Sequence, residues 1–82
     1  MVELKYHGDM RTLTKKDSEK CEAENIKDVF SYLKITYGSS CAKEAKKMLI
    51  ALNGTSIELK EGFKTHLSDG DSVSFLPVCG GG

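Results

Sequence analysis

Residues 68–82 read SDGDSVSFLPVCGGG, and our prediction of the fold starts from this segment. It opens on Asp69-Gly70-Asp71, three residues of types that are typical of a tight turn. Val73 and Phe75 then alternate with serines, which is the period-two pattern of a half-buried strand. The stretch therefore predicts a turn followed by a strand over residues 72–78.

Three glycines at 80–82 follow this strand without a polar spacer. Glycines cannot fill a core, and fixing each residue costs roughly 1–2 kcal/mol of conformational entropy. We therefore expect a folded domain at 1–78 and a flexible glycine tail at 79–82. Where the two meet, Leu76 and Val78 are expected to point away from the core or along the exit of the chain.

The earlier elements follow from hydrophobic period and from breaker residues. In chain order we predict a strand at 2–6, a helical turn at 10–13, a strand at 18–23 with Cys21 and Ala23 inward, a helix at 26–37, a shorter helix through Ala45 capped by Ser39 or Ser40, a strand at 48–52, a return strand around Ile57 and Leu59, a loop anchored by Phe63 and Leu67, and the strand at 72–78.

The helix and the strand at 48–52 have the clearest signals. Asn25 is a good N-cap, apolar side chains recur at helical spacing from Ile26 to Tyr37, and Gly38 is the expected stop. The run MLIAL at 48–52 is continuous and apolar, which predicts a strand buried on both sides before a tight Asn-Gly turn.

One amphipathic helix against one sheet gives a two-layer α+β domain. The first and last strands are both strongly apolar, so we expect them to pair side by side in the middle of the sheet. The predicted fold class is a ubiquitin-like β-grasp, with a mixed sheet of four to five strands packed on one main helix.

Composition excludes several functional classes. Twelve basic and twelve acidic side chains cancel in the 82 residues, whereas nucleic acids and anionic membranes usually need a basic excess. No apolar run approaches the length of a membrane span, and the strand pattern of residues 1–6 is not that of a signal peptide. We therefore expect a cytoplasmic protein that binds neither nucleic acid nor membrane.

The cysteines and histidines do not form a recognisable site. Cys21, Cys41 and Cys79 are odd in number and contain no CxxC pair, while His7 and His66 lie far apart in the sequence. Reduced thiols with no bound metal are the expectation, with Cys21 and Cys41 as packing residues. Nothing beside Cys79 marks it as an activated nucleophile.

The segment from Ser68 to Pro77, followed by a small residue and glycines, resembles the end of the MoaD/ThiS sulfur-carrier family, in particular MoaD, the small subunit of molybdopterin synthase. The strand at 2–6, Arg11 followed by Leu13, and Leu52-Asn53-Gly54 also match. The family commonly has two prolines before the glycines, whereas this chain has Pro77 alone. One glycine is extra in one alignment of the ends, so either Gly82 or Gly81 is the reactive terminus.

The resemblance implies a carrier without an internal catalytic site. An adenylating enzyme of the ubiquitin-activating type (MoeB/ThiF-like) would consume ATP to activate the carboxylate of Gly82, and a sulfur-donating enzyme would convert it to a thiocarboxylate. The sulfur would then pass to a precursor of the molybdenum or tungsten cofactor on a larger, MoaE-like synthase subunit. The carrier itself would bind no cofactor.

The same resemblance assigns roles around the tail. Gly81 gives clearance beside the carboxylate, Gly80 extends the reach, and Pro77 limits slack by fixing φ. Leu76 and Val78 would dock on partners, although from the pattern alone Leu76 equally covers the sheet edge. Arg11 would contact a partner, with a solvated charge as the alternative.

Three other functions use the same sequence features. A thiamin-type sulfur carrier would activate the same carboxylate for another pathway. A ubiquitin-like modifier would join it to lysines of other proteins. A plain β-grasp interaction domain would have inert glycines.

Overall fold

The computed structural model describes residues 1–78. Its elements in chain order are β1 (Val2–Tyr6), α1 (Asp9–Thr14), β2 (Ser18–Cys21), α2 (Ile26–Tyr37), α3 (Ser39–Lys46), β3 (Leu49–Leu52), β4 (Thr55–Ser56), two 3-10 turns (Ile57–Leu59 and Gly62–Lys64) and β5 (Ser72–Leu76). No helix within residues 1–78 is long and apolar enough to cross a membrane.

The five strands form one mixed sheet in the order β2-β1-β5-β3-β4. β1 and β5 are parallel neighbours in its middle, with Leu4 opposite Val73 and Tyr6 opposite Phe75. All other strand pairs are antiparallel. The prediction that the first and last strands pair at the sheet centre is confirmed.

The core lies between the sheet and α2. Asn25 caps α2 through its side-chain oxygen, which accepts a 2.8 Å hydrogen bond from the backbone N–H of Asp28. The inward residues of the helix are Ile26, Val29, Phe30 and Leu33, and they meet Val2, Leu4, Tyr6, Val73 and Phe75 of the two central strands. The apolar face of α2 that the sequence pattern predicts is therefore the face that packs on the sheet.

At the edge of this core, all three tyrosines of the chain donate to one carboxylate. Tyr6, Tyr32 and Tyr37 approach the two oxygens of Glu19 at 2.6, 2.5 and 2.5 Å, and Lys16 Nζ lies 3.2 Å away. Burial would raise the pKa of Glu19, but the hydrogen bonds outweigh it and lower the pKa to about 2. We call Glu19 with its three phenols the tyrosine cluster.

The structure corrects several predicted elements. Ile57 and Leu59 do not form a return strand: β4 ends at Ser56, whose Oγ accepts from the Glu58 N–H and starts a 3-10 turn, with Ile57 buried and Leu59 exposed. The second strand ends at Cys21, so Ala23 lies beyond it, although it still packs on the core.

The prediction about the start of α3 also needs correction, whereas the one about β3 holds over most of the strand. The shorter helix exists, but neither serine caps it: Gly38, at φ +100°, is the junction from which α3 starts directly, which places Ser39 and Ser40 in the first turn. β3 is buried on both sides over residues 50–52, as predicted, since Ile50 and Leu52 face the core and Ala51 on the other side is 5% exposed. Only its first residue, Leu49, is 40% exposed, on the side of the sheet away from the helices, which we call the open side.

The loop before β5 is anchored by only one of the two predicted residues. Leu67 is buried, whereas Phe63 lies on the second 3-10 turn and is 44% exposed. The last strand stops at Leu76, so Pro77 and Val78 lie outside it. Its core face is as predicted, with Val73 and Phe75 fully buried.

Candidate functional site

The root of the tail is held by the centre of the sheet. β5 runs between β1 on one side and β3 on the other, and its last residue, Leu76, is opposite Leu49. Strands paired on both sides are fixed in direction and register. The chain therefore leaves the domain at a defined point, and Pro77 is the first residue beyond the ladder.

Pro77 lies against the corner between β1 and α1. A Cβ atom on Gly8 would lie 3.6 Å from both Cβ and Cγ of Pro77 and 3.9 Å from Cε of Met48. Gly8 has φ +56° and ψ −133°, a conformation that residues with side chains rarely adopt. Pro77 therefore lies next to the backbone of Gly8, and its ring restricts φ at this position.

Three exposed or half-buried apolar side chains lie beside this exit, and the two that belong to strands are on the open side of the sheet. Leu76 points away from the core face of Phe75 and is half-buried, its cross-strand partner Leu49 is 40% exposed, and Val78 is 64% exposed. We call Leu49, Leu76 and Val78 the tail-root strip. Both predicted docking residues belong to it, and the structure adds Leu49.

Leu49 was missed because its sequence context is ambiguous. It lies within MLIAL, a run in which every residue is apolar, so alternation could not show which side faces solvent. The cross-strand pairing with Leu76 identifies it, and that pairing is a property of the assembled sheet.

Arg11 lies on the same corner of the molecule. Its backbone N–H donates to the carbonyl of Gly8 at 3.1 Å, in the turn that starts α1. Its side chain is exposed and forms an ion pair with Asp17, with Nε 2.8 Å from Oδ1. An exposed pair of this kind holds the guanidinium weakly, so the side chain is accessible from solvent.

The described thiols are packed away from solvent. Cys21 and Cys41 are buried and unpaired with each other, and burial raises the pKa of Cys21 to about 11 and that of Cys41 above its ordinary value. Thiols shifted in this direction are poor nucleophiles at neutral pH. Over residues 1–78, no group of three or more His, Cys, Asp and Glu side chains is arranged to hold a metal ion.

Cys79, Gly80, Gly81 and Gly82 lie outside the described residues. Their roles therefore stay predictions. What the structure contributes is the position from which the tail departs, with Pro77 beside Gly8 and with Leu76 opposite Leu49.

The model of the ThiS family matches residues 4–82. This chain belongs to the ThiS family. The match includes the strand pattern at the N-terminal end, the helix and the glycine tail, so the predicted membership of the MoaD/ThiS sulfur carriers is confirmed. No curated protein sequence matches the chain significantly.

Solved structures share the fold over nearly the whole chain. CysO of Mycobacterium tuberculosis, described as an antigen, is 22% identical with a TM-score of 0.84, covering 95% of this chain and 99% of that one. The small archaeal modifier protein SAMP1 of Methanosarcina acetivorans is 24% identical with a TM-score of 0.81, covering 99% and 95%. These likenesses confirm the ubiquitin-like β-grasp.

A third structure is closer in sequence. It is the complex of subunits 1 and 2 of the molybdopterin-converting factor from Helicobacter pylori, and the matched chain is 31% identical with a TM-score of 0.70, covering 98% of this chain and 97% of that one. This ThiS-family member is therefore a ubiquitin-like sulfur carrier by family, and one of its relatives is seen bound to a partner subunit.

Proposed function

We propose that this ThiS-family chain carries sulfur as a thiocarboxylate on its terminal glycine and delivers it to a molybdopterin precursor. The observation that carries the proposal is the tail root: the glycines at 80–82 continue from a strand fixed at the sheet centre, beside an exposed apolar strip. The 31% identity to a subunit of a molybdopterin-converting factor supports this pathway.

The chemistry takes place on the tail inside partner enzymes. The carboxylate of Gly82 attacks the α-phosphorus of ATP, and pyrophosphate leaves. A persulfide of the sulfur-donating enzyme then attacks the acyl carbon and displaces AMP, and a thiol cleaves the resulting acyl disulfide to leave the thiocarboxylate. The carrier needs no base of its own, because activation to the adenylate makes the acyl group reactive.

The tail-root strip is the docking surface in this proposal. Leu49, Leu76 and Val78 are apolar and accessible directly beside the exit of the tail, so a partner that covers them also receives the glycines. The adenylating enzyme and the larger synthase subunit would use this surface in turn. Arg11 would add a polar contact at its margin.

In this role the chain is a carrier in the cytoplasm and not an enzyme. The fold likeness to the small archaeal modifier gives a second candidate, in which the same activated glycine forms isopeptide bonds with lysines of other proteins. A thiamin-type carrier would share every step up to the thiocarboxylate, and a plain interaction domain would share none of them.

Intact-mass analysis distinguishes these candidates. The full chain is incubated with ATP, a MoeB/ThiF-like enzyme and a persulfide donor, beside a variant that lacks Gly81 and Gly82. Exchange of one oxygen for sulfur, in the full chain alone, is the expected result, and the mass also shows whether the reactive end is Gly82 or Gly81. Transfer to a molybdopterin precursor on a MoaE-like subunit then tests the pathway.

Contrary results have distinct meanings. An unmodified full chain would overturn the carrier proposal and leave the interaction domain. Higher-mass conjugates without a thiocarboxylate would favour the modifier, and a thiocarboxylate that no MoaE-like subunit consumes would exclude the molybdopterin step.

A further inference from the structure

The helix side of the molecule carries a groove that the carrier function does not use. Its volume is 430 Å³, and it lies between α2, α3 and the second 3-10 turn. Its lining includes two phenylalanines and four lysines, Phe30, Phe63, Lys27, Lys34, Lys46 and Lys64. Binding pockets for small groups span about 300–1,000 Å³, so this groove has room for one or two large side chains.

The floor of the groove is aromatic and rigid. Phe63 is 44% exposed and packs edge-on against Phe30, with ring centroids 5.0 Å apart. Phe30 in turn packs edge-on against Phe75 in the core, at 6.2 Å. Because Phe63 already packs on a buried ring, fixing it in a complex would cost little additional conformational entropy. Aromatic side chains of this kind commonly serve as anchors at protein interfaces.

The rim of the groove is basic. Lys27 and Lys34 lie seven residues apart on α2, on the same side as Phe30, while Lys46 and Lys64 approach from α3 and the 3-10 turn. No carboxylate lines the groove, and within residues 1–78 none of these four lysines forms a salt bridge. Because the whole chain has zero net charge, this concentration of positive charge is local.

We propose that this groove binds an acidic segment of a partner protein, which inserts an apolar or aromatic side chain against Phe63 and sets its carboxylates among the four lysines. An apolar floor within a basic rim complements an acidic peptide with a hydrophobic anchor. The four cations are all lysines, which would hold the carboxylates as flexible point charges rather than in a fixed bidentate geometry.

The groove and the tail-root strip face different sides of the sheet but adjoin at its β3 edge, where Leu49 lines a small pocket together with Lys46 and Phe63. Leu49 and Leu76 are on the open side, whereas α2 and α3 cover the other. The inference goes beyond the proposed function and does not depend on the thiocarboxylate.

The test is a titration of the isotope-labelled full chain with a synthetic peptide of aspartates and glutamates around one central phenylalanine, followed by NMR. We expect shifts confined to the amides of α2, α3 and residues 62–64. The double variant Lys34→Glu/Lys64→Glu should weaken binding about tenfold or more, and so should replacing the peptide's phenylalanine with serine.

The matched control is Lys5→Glu/Lys20→Glu, which makes the same charge change on the exposed open side of the sheet and should leave the affinity within about twofold. Equal losses in the two double variants, or shifts spread over β1 and β2, would overturn the proposal as non-specific attraction. Binding of phosphatidylserine vesicles at the groove, without peptide binding, would overturn it in favour of a membrane.

If the double charge variant fails to fold, Phe63→Ser provides a second test of the same proposal. Phe63 is largely at the surface, so its loss should leave the dispersed NMR spectrum intact while removing the anchor contact. Unchanged peptide affinity in a folded Phe63→Ser chain would contradict the proposal.

Discussion

The hydroxyl of Tyr37 donates a 2.5 Å hydrogen bond to the carboxylate of Glu19 and thereby joins the end of α2 to the edge strand β2. Tyr32 makes the corresponding contact from the same helix, and its bond to Glu19 raises the pKa of Tyr32 to about 12. The carboxylate side chain is only 10% exposed. The side chain of Glu19 thus links α2 to β2, an edge strand that pairs only with β1.

The first prediction concerns acid stability. Glu19→Gln replaces a charged acceptor with a neutral one, and we expect it to lower the free energy of unfolding by about 2 kcal/mol near neutral pH, as measured by urea denaturation. The pKa of Glu19 falls from 4.5 to about 2 on folding, so this stabilisation is present above pH 4.5 and is lost as pH falls towards 2.

The difference between the variant and the parent chain should therefore shrink across that pH window. Glu22→Gln, at an exposed position three residues further along the chain, is the control and should change stability by less than about 0.5 kcal/mol. A gap between Glu19→Gln and the parent that is constant from neutral pH to pH 2 would contradict the assignment.

The second prediction concerns the corner beneath the tail root. Gly8→Ala should destabilise the domain by about 1–3 kcal/mol, because alanine is strained at φ +56° and ψ −133° even though space for a Cβ atom exists. Thermal unfolding measures the effect, and Asp9→Ala on the neighbouring exposed residue is the control. Equal stability of the two variants would show that the backbone at Gly8 relaxes without cost.

The third prediction concerns the tail-root strip. Leu49→Ser should weaken binding of a partner that receives the tail by about tenfold, since removing an apolar anchor at an interface commonly costs 1–2 kcal/mol or more. Isothermal titration with the MoaE-like subunit measures it. Ile35→Ser is the matched control, because Ile35 is 85% exposed on the helix side. If both variants bind like the parent chain, the strip is not the docking surface.

The fourth prediction separates the two roles considered for Arg11. Arg11→Ala and Asp17→Ala both remove the exposed 2.8 Å ion pair, and each should cost at most about 1 kcal/mol of stability. If Arg11 contacts a partner, only Arg11→Ala should reduce the rate of adenylation at limiting carrier concentration. Equal rates for the two variants would leave Arg11 as a solvated charge.

Most of the framework could be read from local sequence. Asn25 and Gly38 bound a helix whose period is unbroken, and the strand before the tail alternates cleanly, so α2 and β5 were predicted within two residues. The return strand around Ile57 was predicted wrongly because a buried isoleucine gives the same signal in a strand and in a 3-10 turn. In the structure the backbone N–H of Glu58 donates to Oγ of Ser56, and this hydrogen bond favours the 3-10 turn over a strand.

The tyrosine cluster was missed, although one signal was available. Glu19 has the same alternation parity as Cys21, the inward residue of β2, so a carboxylate on that side required a buried partner. Which groups would supply it depends on how α2 crosses the sheet, and spacing within the helix does not specify that. Leu49 and the groove around Phe63 were missed for the same reason, because each arises only between elements.

The parallel pairing of β1 with β5 has a mechanical consequence. The first residue of one strand and the last of the other are at opposite ends of the pair. A force that pulls Met1 and Val78 apart therefore slides the two strands along their length and loads their hydrogen bonds together. It does not peel them open in succession, as it would in a hairpin. A protein unfolded by force between its N-terminus and its glycine tail should therefore resist most strongly at the start of unfolding.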